Sequence, residues 1–68
     1  MLKITLEAAR VNAGLTQDDV ASALNISNKT VSSWENGKSF PTADKIQQLC
    51  DLYGVSYDNL NFLPNDSL

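Results

Sequence analysis

Residues 27–40, SNKTVSSWENGKSF, contain side-chain types that hydrogen-bond to nucleic acids, at a spacing that can bring them to one surface. In a helix of about 3.6 residues per turn, this stretch directs Val31 and Trp34 to one side. The other side carries two amides, two hydroxyls and one ammonium, from Asn28, Lys29, Ser32, Ser33 and Asn36. Such groups donate hydrogen bonds to phosphates and to base edges. Glu35 points away, so the pattern predicts a polar face with no carboxylate near its centre.

The overall charge of the chain argues against binding to a nucleic acid. The chain has five Lys and Arg residues against eight Asp and Glu residues, a formal net charge of −3. Only Lys29 and Lys38 are clearly on the predicted face, with Lys3 and Lys45 as contributors at its edges. Because cations drive binding to phosphates, a single copy should bind DNA weakly. We therefore expect two copies to bind together.

Composition limits the remaining possibilities. A chain of 68 residues holds one domain, and a hydrophobic fraction of 43% is ordinary for a folded protein. Cys50 is the single cysteine, which fits a reducing compartment and predicts a small buried thiol. Without histidine the chain offers no metal site of the usual kind, and we expect no cofactor. It shows neither a signal peptide nor an apolar run of the ~18 residues that a membrane span needs, so a cytoplasmic location is expected.

Caps and spacing predict an all-α domain of five short helices and no strand. The helices fall at about residues 2–13, 16–24, 28–36, 41–53 and 56–62. Thr16 with Asp19 forms a capping-box pattern at the start of the second helix. No stretch of four residues keeps a period of two, which argues against strands. We assign residues 1–63 to one domain and residues 64–68 to a flexible C-terminal tail.

The second and third predicted helices meet the packing requirements of a helix-turn-helix. About three residues join them. Ala21 is small enough for a close helix contact, and Asn25 tolerates the positive φ of a tight turn. Ile26 follows as an apolar residue that can enter the core, and Val31 and Trp34 share the inner side of the third helix. Together, these features indicate a helix-turn-helix far more specifically than any one of them does alone.

On these residues, the chain resembles the Cro/repressor-type (Xre-like) helix-turn-helix family. The resemblance covers about residues 3–63 and rests on the pattern Gln17–x3–Ala21–x3–Asn25–Ile26–Ser27–x3–Val31–x2–Trp34–Glu35–Asn36–Gly37–Lys38. It implies a compact five-helix, lambda-repressor-like domain with its third helix in the major groove, usually as a two-fold dimer. The chain departs from the family at Asn25, which replaces the usual turn glycine, and in residues 39–42, which lack the basic residues common in relatives.

The resemblance also implies a role for individual side chains. The matching base-reading positions are Asn28, Lys29, Ser32 and Ser33. The matching positions for the DNA backbone are Gln17, Asn36 and Lys38. In many relatives, the residues matching Arg10 and Glu35 form a salt bridge that ties the first helix to the third, which would make this pair structural.

These features predict a sequence-specific DNA-binding transcriptional regulator, of the phage or mobile-element repressor type, that acts by occupying a promoter. The expected partners are a palindromic double-stranded operator and a second copy of the chain. The C-terminal segment should form the dimer contact, because it has several large apolar side chains: Tyr57, Leu60, Phe62 and Leu63. Packing onto the protein's own core is an equal alternative for Leu60.

Two other classes of function compete with this prediction. One is a helix-turn-helix domain that serves as a protein–protein interaction module, as antitoxins do. The acidic balance and the apolar C-terminal segment favour it, whereas the carboxylate-free recognition face argues against it. The other class is an enzyme, which we do not expect because the chain has no histidine, its thiol is predicted to be buried, and no paired carboxylates are placed to line a cleft.

Overall fold

Four α-helices and two very short strands make up residues 3–62, the part of the chain that the computed structural model describes. In chain order they are β1 (Ile4–Thr5), α1 (Leu6–Asn12), α2 (Gln17–Leu24), α3 (Asn28–Glu35), α4 (Ala43–Tyr53), a 3₁₀ turn (Tyr57–Asn59) and β2 (Leu60–Asn61). The predicted tail, residues 64–68, lies outside the described residues, as does Leu63. No helix within residues 3–62 is long and apolar enough to cross a membrane.

Two predictions are wrong, that of a fifth helix at the C-terminal end and that of a chain without strands. The segment forms one 3₁₀ turn and then β2, which pairs in parallel with β1, Ile4 opposite Leu60 and Thr5 opposite Asn61. The ladder is only two residues long on each side, so it leaves no alternating pattern in the sequence. Its effect is to fix Leu60 in the core, where the residue is 3% exposed.

The first helix begins at Leu6, four residues later than the predicted start near residue 2. Thr5 is the reason, because its hydroxyl accepts a hydrogen bond from the backbone N–H of Ala8 at 3.1 Å. An N-cap residue needs an extended backbone, and Thr5 has φ −70° and ψ 162°. Thr5 is therefore both the last residue of β1 and the N-cap of α1.

The turn between α2 and α3 is closed by hydrogen bonds at both of its ends. Asn25 adopts the left-handed conformation, with φ 58° and ψ 48°, and its N–H donates to the carbonyl of Ser22. The next N–H, of Ile26, donates to the carbonyl of Ala21 at 2.9 Å, which completes a Schellman motif. Ser27 then caps α3 by accepting from the N–H of Thr30. The predicted turn chemistry is confirmed, including the capping box of Thr16 and Asp19 at the start of α2.

One hydrophobic core holds the helices together. Val20, Val31 and Leu49 are its largest fully buried side chains, and Trp34 is 6% exposed. Ala21 lies buried where α2 meets α3, as the close contact between the helices requires. The other buried apolar residues are Leu6, Ala9, Leu24, Cys50, Tyr53 and Leu60. Since Val31 and Trp34 face this core, the orientation of α3 about its own axis is fixed.

Candidate nucleic-acid interface

The outward side of α3 and the turn after it form a shallow pocket of about 370 Å³. It brings together five of the side chains implicated by the sequence, namely Lys29, Ser32, Ser33, Asn36 and Lys38. Two of the five are cations and none is a carboxylate. The pocket therefore offers positive charge and neutral hydrogen-bonding groups on one surface, the mixture that binds a phosphate backbone and base edges.

Local hydrogen bonds order the pocket. Asn36 donates from Nδ2 to Ser32 Oγ at 3.3 Å, and the hydroxyls of Ser33 and Ser39 share a hydrogen bond of 2.8 Å. Gly37 has φ 74°, which lets the chain reverse so that the N–H of Lys38 donates to the carbonyl of Ser33 at 3.0 Å. This reversal is why Lys38, beyond the end of α3, lies beside residues within that helix.

Asn28 occupies the other end of α3 and has a partner that the sequence did not reveal. Its amide nitrogen, Nδ2, donates to Oδ1 of Asp18 in the first turn of α2. Both residues are exposed. Asp18 also lies in the first turn of α2, where a carboxylate interacts favourably with the dipole of its own helix. The signal that could have found the contact is the tight turn itself, which brings the start of α2 near the start of α3.

Gln17 lies at the start of α2, half-buried, with its amide directed to the protein interior. Its Nε2 donates to Oε1 of Glu35 at 2.9 Å, so one of its two side-chain N–H groups is used within the protein. The first backbone N–H groups of α2 precede any intrahelical acceptor and are typical donors to a phosphate. A phosphate contact of Gln17 stays a prediction. Its available donors are the first backbone N–H groups of α2 and the second N–H of the Gln17 side-chain amide.

Behind the interface, Arg10 and Glu35 form a largely buried ion pair, with side chains 11% and 5% exposed. Arg10 donates from Nε to Oε2 of Glu35 at 2.7 Å and from Nη2 to Oε1 at 3.3 Å. Its Nη1 also donates to the carbonyl of Leu15 at 2.9 Å. The hydrogen bond with Glu35 raises the pKa of Arg10 above its ordinary value. With Gln17 also bound to Glu35, the pair links α1, α2 and α3.

The remaining cations are placed differently. Lys45, considered from the sequence as an edge contributor to DNA binding, donates from Nζ to the carbonyl of Leu24 at 3.2 Å and so stabilises the end of α2. Lys3 is exposed just before β1. Of the five cationic side chains, Lys29 and Lys38 are the ones that line the pocket. The positive charge of the interface is therefore small and concentrated at α3.

The C-terminal segment has less free apolar surface than the sequence suggested. Leu60 is buried in the protein's own core, so it is unavailable for a contact between copies. Tyr57 is 59% exposed, and its ring lies 5.8 Å from that of Phe62, centroid to centroid. Tyr57 also borders a groove of about 560 Å³ along α4 that includes Ile46, Cys50 and Val55.

Burial raises the pKa of the Cys50 thiol, which disfavours the reactive thiolate.

Tyr53 packs close to the ion pair and should make stability depend on pH. Burial, and secondly the negative charge of Glu35, raise the pKa of its phenol from 10 to about 12. The unfolded chain loses this proton near pH 10, whereas the folded chain keeps it. Stability from this group is therefore complete below pH 10 and is lost as the pH rises towards 12, by at most about 3 kcal/mol.

Urea unfolding at pH 9 and pH 11.5 measures the effect, with Tyr53→Phe as the matched variant. Other groups that titrate in this range contribute equally to both proteins, so the comparison isolates Tyr53. The wild-type protein should lose more stability than the variant over this interval. Equal losses would show that the phenol ionises as it does in water.

The chain is similar in sequence to known helix-turn-helix proteins. A family model described as helix-turn-helix matches residues 6–60. The HTH-type transcriptional regulator ImmR of Bacillus subtilis (strain 168) is 42% identical over 55 residues, which is 81% of this chain and 43% of ImmR. The HTH-type transcriptional activator BcrR of Enterococcus faecalis is 31% identical over 55 residues, 81% of this chain and 27% of BcrR.

The chain spans less than half the length of either relative. No solved structure matches it significantly. Within residues 3–62, no group of three His, Cys, Asp or Glu side chains is arranged to hold a metal ion. The family match covers most of the chain and includes the whole α2–turn–α3 unit. The chain therefore belongs to the Cro/repressor-type (Xre-like) helix-turn-helix family.

Proposed function

We propose that the chain is the DNA-binding domain of a transcriptional regulator and that α3 enters the major groove. The observation that carries the proposal is the pocket on α3, where Lys29 and Lys38 accompany neutral donors and acceptors without a carboxylate in the lining. A helix with its side chains is about 10–12 Å in diameter, and a major groove about 12 Å wide admits it. The family membership and the names of the two relatives support the same function.

Within this proposal, the side chains that contact DNA divide into two groups. Asn28, Lys29, Ser32 and Ser33 read base edges, because they project from the part of the helix that would lie deepest in the groove. Asn36 and Lys38 contact the DNA backbone just beyond the helix, and Gln17 contacts it at the start of α2. Backbone contacts fix the register of the protein on the duplex, and base contacts supply the sequence preference.

Two copies bind one palindromic operator in this proposal, through half-sites about 34 Å apart. The small positive charge supports pairing, since each protomer brings only Lys29 and Lys38 from the pocket. The contact between copies uses the exposed ring of Tyr57 with Phe62 and the adjoining groove on α4. Occupying a promoter would make the protein a repressor of the phage or mobile-element type.

A second candidate function is supported by the same groove on α4. Its apolar residues, which lie beside Gln47, Asp51 and Ser56 in the lining, together with a net charge of −3, would suit a module that binds another protein and not DNA. In that case the groove, and not α3, would be the functional surface. If the chain binds DNA, substitutions on α3 should weaken that binding. If it binds a protein through the groove, the same substitutions should leave binding unchanged.

Selection of duplexes from a random DNA pool, at low and moderate salt, tests the proposal. The wild-type chain should enrich a palindrome. Asn28→Ala combined with Lys29→Ala should lose that enrichment while keeping the fold, because both side chains are exposed. A pool with no enriched sequence even at low salt would contradict DNA reading and favour the protein-binding module.

A further inference from the structure

The hydrogen bond between Asp18 and Asn28 places a carboxylate at the edge of the proposed base-reading surface. The neighbouring Asp19 has a different task, because its Oδ2 accepts from the N–H of Thr16 in the capping box. Asp18 takes no part in that cap. A role in the helix dipole alone would need no side-chain partner across the turn, and ordering two exposed side chains costs conformational entropy.

The chemistry of the two groups fixes which way the amide of Asn28 faces. A carboxylate only accepts hydrogen bonds, so the nitrogen of the amide must face Asp18 and the oxygen must face away. Nδ2 carries two N–H groups, and one of them is used by Asp18. Asn28 is left with one N–H and its carbonyl Oδ1, a donor and an acceptor side by side.

A donor beside an acceptor is the complement of adenine in the major groove, which presents N7 as an acceptor and the N6 amino group as a donor. Guanine presents two acceptors, N7 and O6, which the carbonyl of Asn28 cannot satisfy. The nearby carboxylate of Asp18 also disfavours a guanine edge, since it too is an acceptor. Without Asp18, both N–H groups of Nδ2 would be free to donate, and the amide could serve the two acceptors of guanine.

We infer that Asp18 is a positioning residue that makes Asn28 select adenine over guanine. This inference rests on the proposed function, because it assigns a base preference to the same surface. The carboxylate has a general cost, since it repels phosphates and weakens binding to every sequence. Asp18 thus lowers the affinity for DNA of every sequence and raises the preference for adenine at one position of the half-site.

The test compares Asp18→Ala with Asp18→Asn on the operator that the wild-type chain selects. The relevant base pair is the one whose preference disappears in Asn28→Ala. Affinities are then measured with adenine and with guanine at that position. Asp18→Ala should lower the adenine-to-guanine preference by about tenfold and raise affinity for unrelated DNA. Asp18→Asn removes the same charge but keeps an acceptor, so it should retain most of the preference.

Glu7→Ala is the charge-matched control. The side chain of Glu7 is 67% exposed and lies outside both the pocket on α3 and the groove on α4. Its removal changes the net charge equally and should leave the base preference unchanged. In the free protein, side-chain amide resonances give a second readout, because Asp18→Ala should shift those of Asn28 and Glu7→Ala should not.

The outcomes separate this inference from the proposed function. A wild-type operator without adenine at the position read by Asn28, or an unchanged preference in Asp18→Ala, would overturn the role of Asp18 and leave DNA reading intact. Unshifted Asn28 resonances in Asp18→Ala would likewise overturn it. A wild-type chain that selects no sequence at all would overturn both.

Discussion

Replacing Glu35 with alanine should unfold the domain or leave it close to unfolding. The substitution would remove the buried counter-charge of Arg10, whose side chain is 11% exposed, and the partner of the Gln17 amide. Breaking a buried ion pair by removing one member costs about 3–5 kcal/mol, because the remaining charge stays buried without compensation. A single core in so short a chain rarely supplies more than about 3–5 kcal/mol of net stability. Urea unfolding followed by the fluorescence of Trp34, the one tryptophan, measures the change.

Glu7→Ala provides the control for this prediction. Glu7 approaches the same guanidinium at 4.0 Å, yet its side chain is 67% exposed. An exposed pair contributes little, so this variant should lose less than about 1 kcal/mol. Similar losses in the two variants would mean that the network around Glu35 is not what holds α1, α2 and α3 together.

The parts of the fold that depend on neighbouring residues could be predicted from the sequence. Thr16 and Asp19 form their capping box within one helical turn, and Asn25 closes α2 through its own backbone conformation. Likewise, Val31 and Trp34 lie three residues apart on α3 and both face the core. Each of these features needs only local geometry and the preference of apolar groups for burial.

The features that failed, or were missed, depend on contacts between distant parts of the chain. β2 exists because Leu60 pairs with Ile4, and two paired residues are too few to create a strand signal. The contact of Asp18 with Asn28 and that of Lys45 with Leu24 join different helices. No local rule specifies them, since the side chains involved would be ordinary exposed polar residues if each helix stood alone. Tertiary packing decides these positions.

Replacing both Lys29 and Lys38 with alanine should reduce affinity for the selected operator by about a thousandfold at about 0.1 M salt. A dimer would lose four cations that face DNA, two from each pocket. The two Lys38 side chains are the proposed phosphate contacts, and each phosphate contact contributes about 0.9 to the slope of log K against log salt, so the slope should become shallower by about two. Loss of the two Lys29 base contacts should lower the affinity further. Both lysines are exposed, and neither forms an ion pair within residues 3–62, so the thermal midpoint should change little. Binding isotherms at several salt concentrations give both quantities.

Lys3→Ala is the charge-matched control for each single lysine substitution, because Lys3 is exposed beside β1 and outside the pocket. It lowers the net charge by the same amount, so a general electrostatic effect would weaken binding as much in this variant as in Lys38→Ala. The pocket predicts a different result, with a slope change of about two for Lys38→Ala and none for Lys3→Ala. The comparison matters for an acidic protein, because its affinity for DNA must then come from the positions of its few cations and not from their number. Equal slopes in the two variants would mean that Lys38 does not contact the phosphates.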